Sequence, residues 1–151
     1  MKKKTSASSK DLWKITLAEA SARIQAASLS PVKLLEAYLD RIAEVDDKIH
    51  SYICVAAEPA RQAAKQAERE LQSGIWKGPL HGIPFAVKDN YDVAGLPATA
   101  GSRLRLGHTP DVDAPLVADL KAAGAVLIGK LATWEFGTGN GGEYFDLPFP
   151  P

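Results

Sequence analysis

Apolar residues recur three or four positions apart over the first half of the chain and give way to short β-prone runs over the second. Thr16 followed by Glu19 has the spacing of a capping box, in which a hydroxyl and a carboxylate satisfy amide groups left free at a helix start. Leu17, Ala20, Ile24 and Ala27 then share one face, which predicts a first helix over about 16–28. "SLSPVKLLEAYLDRIAEVDDKI" restarts the pattern, with Ser30 as N-cap and Pro31 in the first turn. Leu35, Tyr38, Leu39, Ile42 and Val45 supply its apolar face. A third, alanine-rich helix over 59–73 aligns Ala60, Ala63, Ala64, Ala67 and Leu71 and stops at Gly74, its small side chains suited to close packing.

The pattern changes at Gly78. "GPLHGIPFAVKDNYDVAGLPATAGSRL" alternates Gly and Pro with short β-prone runs, which predicts strands joined by turns. Asp113 then reads as the cap of a helix with Pro115 in its first turn and Leu116, Val117 and Leu120 facing inward. "AVLI", 125–128, reads as a buried strand. Helices followed by strands with an interposed helix indicate an α/β protein whose sheet is covered by helices. No internal repeat and no membrane-length apolar run occurs.

Composition narrows the function classes. The 151 residues carry 18 Lys plus Arg against 18 Asp plus Glu, so no global charge draws the chain to nucleic acid or an anionic membrane. "MKKKTSASSK" is basic and then polar, without the apolar core of a secretory signal. Residues 1–12 therefore read as a flexible tail ahead of a folded portion over 13–151, and a cytoplasmic setting is expected. The single cysteine, Cys54, excludes an internal disulfide and, in "SYICVAA", reads as a buried structural thiol. His50, His81 and His108 lack metal-ligand spacing, so no metal site is expected. "GAVLIGK", 124–130, matches part of a phosphate-binding P-loop. Its centre is four apolar residues, and Leu131 stands where a magnesium-binding hydroxyl would be needed, so it reads as a strand.

"GIPFAVKDN", 82–90, leads a lysine out of an apolar run. Strand alternation puts Phe85, Val87 and Asp89 on one face and Pro84, Ala86, Lys88 and Asn90 on the other. The residues alone leave two readings open, a lysine snorkelling from a sheet edge or one held for chemistry.

Four stretches in order resemble the amidase signature family: "LLEAYLDRIAEVDDKIHSYI", "GPLHGIPFAVKDNYDVAGLPATAGS", "DAPLVADLKAAGAVLIGKLATWEFGTGN" and "FDLPFPP". They span nearly everything after residue 12, and their combination is more specific than any one of them. The resemblance implies an α/β fold, a mixed β-sheet sandwiched by helices, of which this chain is the N-terminal portion. It implies hydrolysis of a carboxylic amide to acid and ammonia, with Lys88 catalytic beside a serine nucleophile and a second, bridging serine on a cis peptide bond. A lysine accepts a proton only when neutral. Its reference pKa of about 10.4 means that a base poised near 7 to 8 needs about 4 kcal/mol of bias against the charged form. Desolvation at a strand end, with Asp89 on the other face, acts in that direction.

The resemblance places both family serines C-terminal to Pro150 and Pro151, so the chain alone is expected to be inactive, to be truncated before that segment, and to expose a sheet edge. Ser28, Ser30, Ser51 and Ser73 sit at helix ends or a strand start, and Ser102, after "TAG", reads as turn chemistry. "TWEFGTGNGG", 133–142, corresponds to the family loop near the acyl side of the substrate. It makes Phe136, Gly137, Thr138 and Gly139 the candidate substrate-binding residues. No cofactor is implied. The partner expected is a small amide, with no membrane and no direct nucleic-acid contact, and a homodimer is one expectation for the full-length form. Three readings stand: a stand-alone amidase, the glutaminase subunit of the Glu-tRNA(Gln) amidotransferase, and a noncatalytic remnant of the fold.

Overall fold

In the computed structural model, which describes residues 9–138, the chain opens on a 3-10 helix, Ser9–Lys14, whose Leu12 is buried in the core. Packing thus begins inside the stretch expected as a tail. Helix α1 spans Leu17–Gln25, with the Thr16 hydroxyl accepting the Glu19 amide at 3.1 Å as the capping spacing predicts. It ends three residues before the expected boundary. Ala27 turns left-handed at φ 54°, and the amides of Ser28 and Leu29 fold back onto the Arg23 carbonyl. Ala20 and Ile24 are buried, whereas Leu17 is 53% exposed and Ala27 lies outside the helix.

Helix α2, Pro31–Ile49, is capped by Ser30 as expected, its hydroxyl accepting the Lys33 amide. Its Leu34 and Ala37 pack with α1, and Leu35 and Leu39 pack under the sheet. The Asp46 carboxylate accepts the Ser51 amide and hydroxyl and the Tyr52 amide, which turns the chain into strand β1, Tyr52–Val55. Helix α3, Ala57–Gln72, buries Ala60, Ala64 and Ala67 and crosses close to α2, where Arg61 grips Glu36 through two hydrogen bonds.

Strand β2 spans Pro84–Lys88, helix α4 Pro115–Ala122 and strand β3 Val126–Leu131. The sheet is mixed. β3 is central, antiparallel to β1 and parallel to β2. Two expectations are corrected here. Asp113 does not cap α4, because its carboxylate accepts the Ala94 amide and the Lys121 ammonium instead. Residues 89–114 form turns and a short 3-10 helix rather than further strands, their amides bonded locally, as from Ala98 to the His108 carbonyl.

The register between β2 and β3 is interrupted. Phe85 pairs with Leu127, but the next residue, Ala86, pairs with Gly129, so Ile128 is an extra residue on β3. Because side chains alternate, one extra residue moves everything after it to the opposite face. Val126 and Ile128 pack on α2 and α3, Leu127 packs with Val87, Val93 and Val117, and Lys130 pairs with Val87 on Leu127's face. Gly129 is required at this crossing, since a Cβ there would lie 2.1 Å from the Cys54 carbonyl oxygen.

Candidate active site

Lys88 is the last residue of β2, with its backbone fixed from three sides. It pairs with Leu131 in the ladder, its carbonyl accepts the Tyr91 amide at 3.0 Å, and the Asp89 amide donates to the Leu131 carbonyl at 2.9 Å. The described residues leave its side chain half-buried, and its ammonium has no hydrogen-bond or ion-pair partner among them. The dehydration expected of a strand-end amine is therefore only partly supplied by residues 9–138. A turn of backbone lies close to it, for a Cβ placed on Gly137 would lie 3.0 Å from Lys88 Nζ and 3.5 Å from Asn90 Nδ2.

Asp89 is turned away from Lys88 and bound to Lys130, a residue that in the sequence stands out only as the end of a P-loop look-alike. The Lys130 ammonium donates to Asp89 Oδ1 at 2.8 Å and to the Pro97 carbonyl at 2.9 Å. The other carboxylate oxygen accepts the Thr99 amide at 3.0 Å and the Thr99 hydroxyl. Both charged side chains are essentially inaccessible, Lys130 at 0% and Asp89 at 1% exposure. Simple alternation hides this pair, because it assigns Lys130 to the face of Val126 and Ile128. The signal that could have found it is Gly129, the kind of residue that marks a strand bulge or a close backbone crossing.

The loop after β3 approaches the same end of the sheet. Phe136 and Gly137 lie in the left-handed region, at φ 48° and 79°, and the Phe136 amide donates to the Ala100 carbonyl at 2.7 Å. Ser102 is buried and donates its hydroxyl to Glu135 Oε1 at 2.7 Å while accepting the Leu104 amide. This latch ties the 98–102 turn to the turn that presses on Lys88. The structure thus brings Gly137 to Lys88, leaves the Phe136 side chain about half exposed at 49%, and leaves Thr138 exposed. Gly139 lies outside the described residues.

The remaining candidates have structural occupations. Ser30 caps α2, the Ser28 and Ser73 hydroxyls donate to carbonyls about one helical turn back, and Ser51 bonds to Asp46. Burial raises the Cys54 thiol above its ordinary value, with Lys130 pulling down and Asp89 pushing up, so the thiolate is disfavoured. "GAVLIGK" forms a strand over its last five residues, not a phosphate loop. His81 is fully buried, its Nδ1 accepting the Lys77 amide and its Nε2 bonded to Glu70 at 2.9 Å. Among the described residues no group of three His, Cys, Asp or Glu side chains is placed to hold a metal ion, and no helix is long and apolar enough to cross a membrane. A 460 Å³ groove between α3 and the 93–96 turn, lined by Ala63, Ala67, Leu96 and Lys121 among others, does not reach Lys88.

Comparison with known proteins places these features among relatives. A family model described as Amidase matches residues 33–145. The chain is 42% identical over 134 residues to a glutamyl-tRNA(Gln) amidotransferase subunit of Anaeromyxobacter dehalogenans, a match covering 89% of the chain and 27% of that protein. It is also 42% identical over 131 residues to an amidase of Pseudomonas putida, covering 85% of the chain and 27% of that protein. Native peptide amidase from Stenotrophomonas maltophilia superimposes with a TM-score of 0.78 at 37% identity, over 84% of the chain and 26% of the enzyme. The chain therefore spans about a quarter of the length of the curated relatives it matches.

Proposed function

The chain belongs to the amidase family, and we propose that within it Lys88 is the proton acceptor for hydrolysis of a small carboxylic amide to acid and ammonia. One observation carries this reading: an ammonium at the end of a fixed strand, without a carboxylate partner among the described residues, while the adjacent Asp89 is committed elsewhere. A lysine set against a carboxylate would be held charged, and a charged lysine accepts no proton. The nucleophile in this reading is a serine outside the chain's described residues. Ser102, Ser51, Ser30, Ser28 and Ser73 are each engaged in the structural hydrogen bonds already described. The 151-residue chain alone, on this reading, turns over no amide. The Gly137 turn and Phe136 then supply backbone and an apolar edge on the substrate side of the amine.

A second reading is favoured by the equal identity to the amidotransferase relative: an amidase portion working on glutamine inside a larger assembly. One experiment tests both. Ammonia release is measured from glutamine and from a panel of other small amides. The proteins compared are the chain alone and a chimera in which the chain replaces the matching portion of the Stenotrophomonas peptide amidase. The chain alone should be silent. The chimera should release ammonia, and Lys88→Met should lower its rate by roughly 10²–10⁴ or more, the contribution of a positioned acid–base group. Turnover that survives Lys88→Met refutes the assignment, and a preference for glutamine selects the second reading.

A further inference from the structure

Resting on the reading of Lys88 as proton acceptor, we propose that Lys130 is a positioning residue that shields it, holding the Asp89 carboxylate on the opposite face of the sheet so that it cannot become Lys88's counter-ion. Asp89 is the carboxylate covalently next to Lys88. Left without a partner it would attract the nearest ammonium, and the nearest in sequence is the one that must be free to lose its charge. The structure gives it another cation: Lys130 at 2.8 Å, supported by the Thr99 amide and hydroxyl. Lys130 is in turn fixed by the Pro97 carbonyl.

Three features show that the pair is placed rather than incidental. It is buried to 0% and 1% exposure, where a carboxylate and an ammonium are each costly unless matched. It exists only because of the extra residue Ile128, which brings Lys130 round to the face of Val87 and Asp89. Stability alone does not account for a lysine in the central strand, since buried ion pairs are often replaced by apolar residues without loss. Among the described residues, the titratable groups around the two lysines include Asp89, Cys54 opposite Lys130 on β1, and Glu135 on the turn bearing Gly137, its carboxylate accepting Ser102. One Glu135 oxygen is held by Ser102 and Glu135 makes no ion pair with Lys88, and the Cys54 thiol is disfavoured as an anion, so among the described residues the buried carboxylate to be neutralised is Asp89, next to Lys88 in sequence.

The test follows the reactivity of the Lys88 amine in the full chain. Trace acetylation by acetic anhydride is run from pH 6 to 11 (roughly the range spanning a poised and an ordinary lysine) and read peptide by peptide with mass spectrometry. Lys130→Met should move the Lys88 midpoint up by roughly one pH unit, about a tenfold loss of labelling rate at neutral pH. The double variant Lys130→Met with Asp89→Asn should return it to the parent value, because the stranded charge is gone. A Lys130→Met chain that is merely less stable, with Lys88 at the parent midpoint, overturns the proposal, as does failure of the double variant to restore it. If Lys130→Met does not fold, the parent chain decides the matter by carbon NMR of Asp89. Its carboxyl carbon should stay still through the pH range in which Lys88 loses its proton, and a carbon that moves with Lys88 overturns the shield. The parent midpoint tests the base itself, whereas the difference between variants tests the shield, so the two can fail separately.

Discussion

Glu70→Gln should make the chain less stable near neutrality and flatten its loss of stability in acid. Glu70 lies at the end of α3 beneath the "GPLHGIPF" turn, where Lys77 Nζ approaches its oxygens at 2.7 and 2.9 Å, Gln66 donates at 3.0 Å and the His81 ring bonds at 2.9 Å. The Lys77 hydrogen bond first, then that of Gln66, lower its pKa from 4.5 to about 2, against the opposing effect of burial. That interval, 4.5 less 2, converts to a ceiling of about 3 kcal/mol at roughly 1.4 kcal/mol per pH unit. Lys77 is 36% exposed and screened by solvent, which brings the expected contribution down to about 1–2 kcal/mol. A carboxylate with a depressed folded-state pKa stabilises the fold fully above its unfolded value and loses that contribution as pH falls through the folded one. Parent and variant should therefore differ by that amount at pH 7 and converge between about pH 4.5 and 2. Urea unfolding at several pH values, followed by tryptophan fluorescence, measures this directly. Trp76 is a local reporter, its ring centroid 5.8 Å from that of His81. Parallel stability curves for the two proteins through that window would refute the electrostatic account of the cluster.

Gly129→Ala should destabilise the chain by about 3 kcal/mol, at the upper end for overpacking, because the new Cβ meets the Cys54 carbonyl at 2.1 Å and β1 must move off β3. Equilibrium unfolding checks it, and a loss under about 0.5 kcal/mol would show that the two strands are not locked there. Gly137→Ala should cost about 1 kcal/mol of backbone strain at φ 79° and displace the Lys88 amine that it touches. The Lys88 acetylation profile should change while those of exposed lysines such as Lys33 and Lys65 do not, and an unchanged Lys88 profile would remove the turn from the site.

The parts of the fold legible in the sequence are those governed by local rules. Thr16 and Ser30 cap helices because a hydroxyl two or three residues before an amide does so wherever it occurs, and Ala60, Ala64 and Ala67 of α3 face inward because helical periodicity tolerates no slip, although Ala63, aligned with them in the sequence, falls on the exposed side. Lys88 was legible as a residue out of keeping with its strand. Its surroundings were not, because they depend on a register between β2 and β3 that neither strand encodes alone. Reading "AVLIGK" with unbroken alternation sends Lys130 to the helices. Inserting Ile128 as the extra residue sends it to Asp89, and the same insertion makes Gly129 obligatory at the crossing with β1. The Ser102–Glu135 latch, with partners 33 residues apart, was hidden for the same reason. A lone buried lysine and a lone buried aspartate are each improbable, yet "GIPFAVKDN" and "GAVLIGK" each contribute one, and only their pairing makes both tolerable. The two stretches are therefore one structural unit. A change that shifts the bulge should disturb the lysine at the strand end as surely as a change beside it.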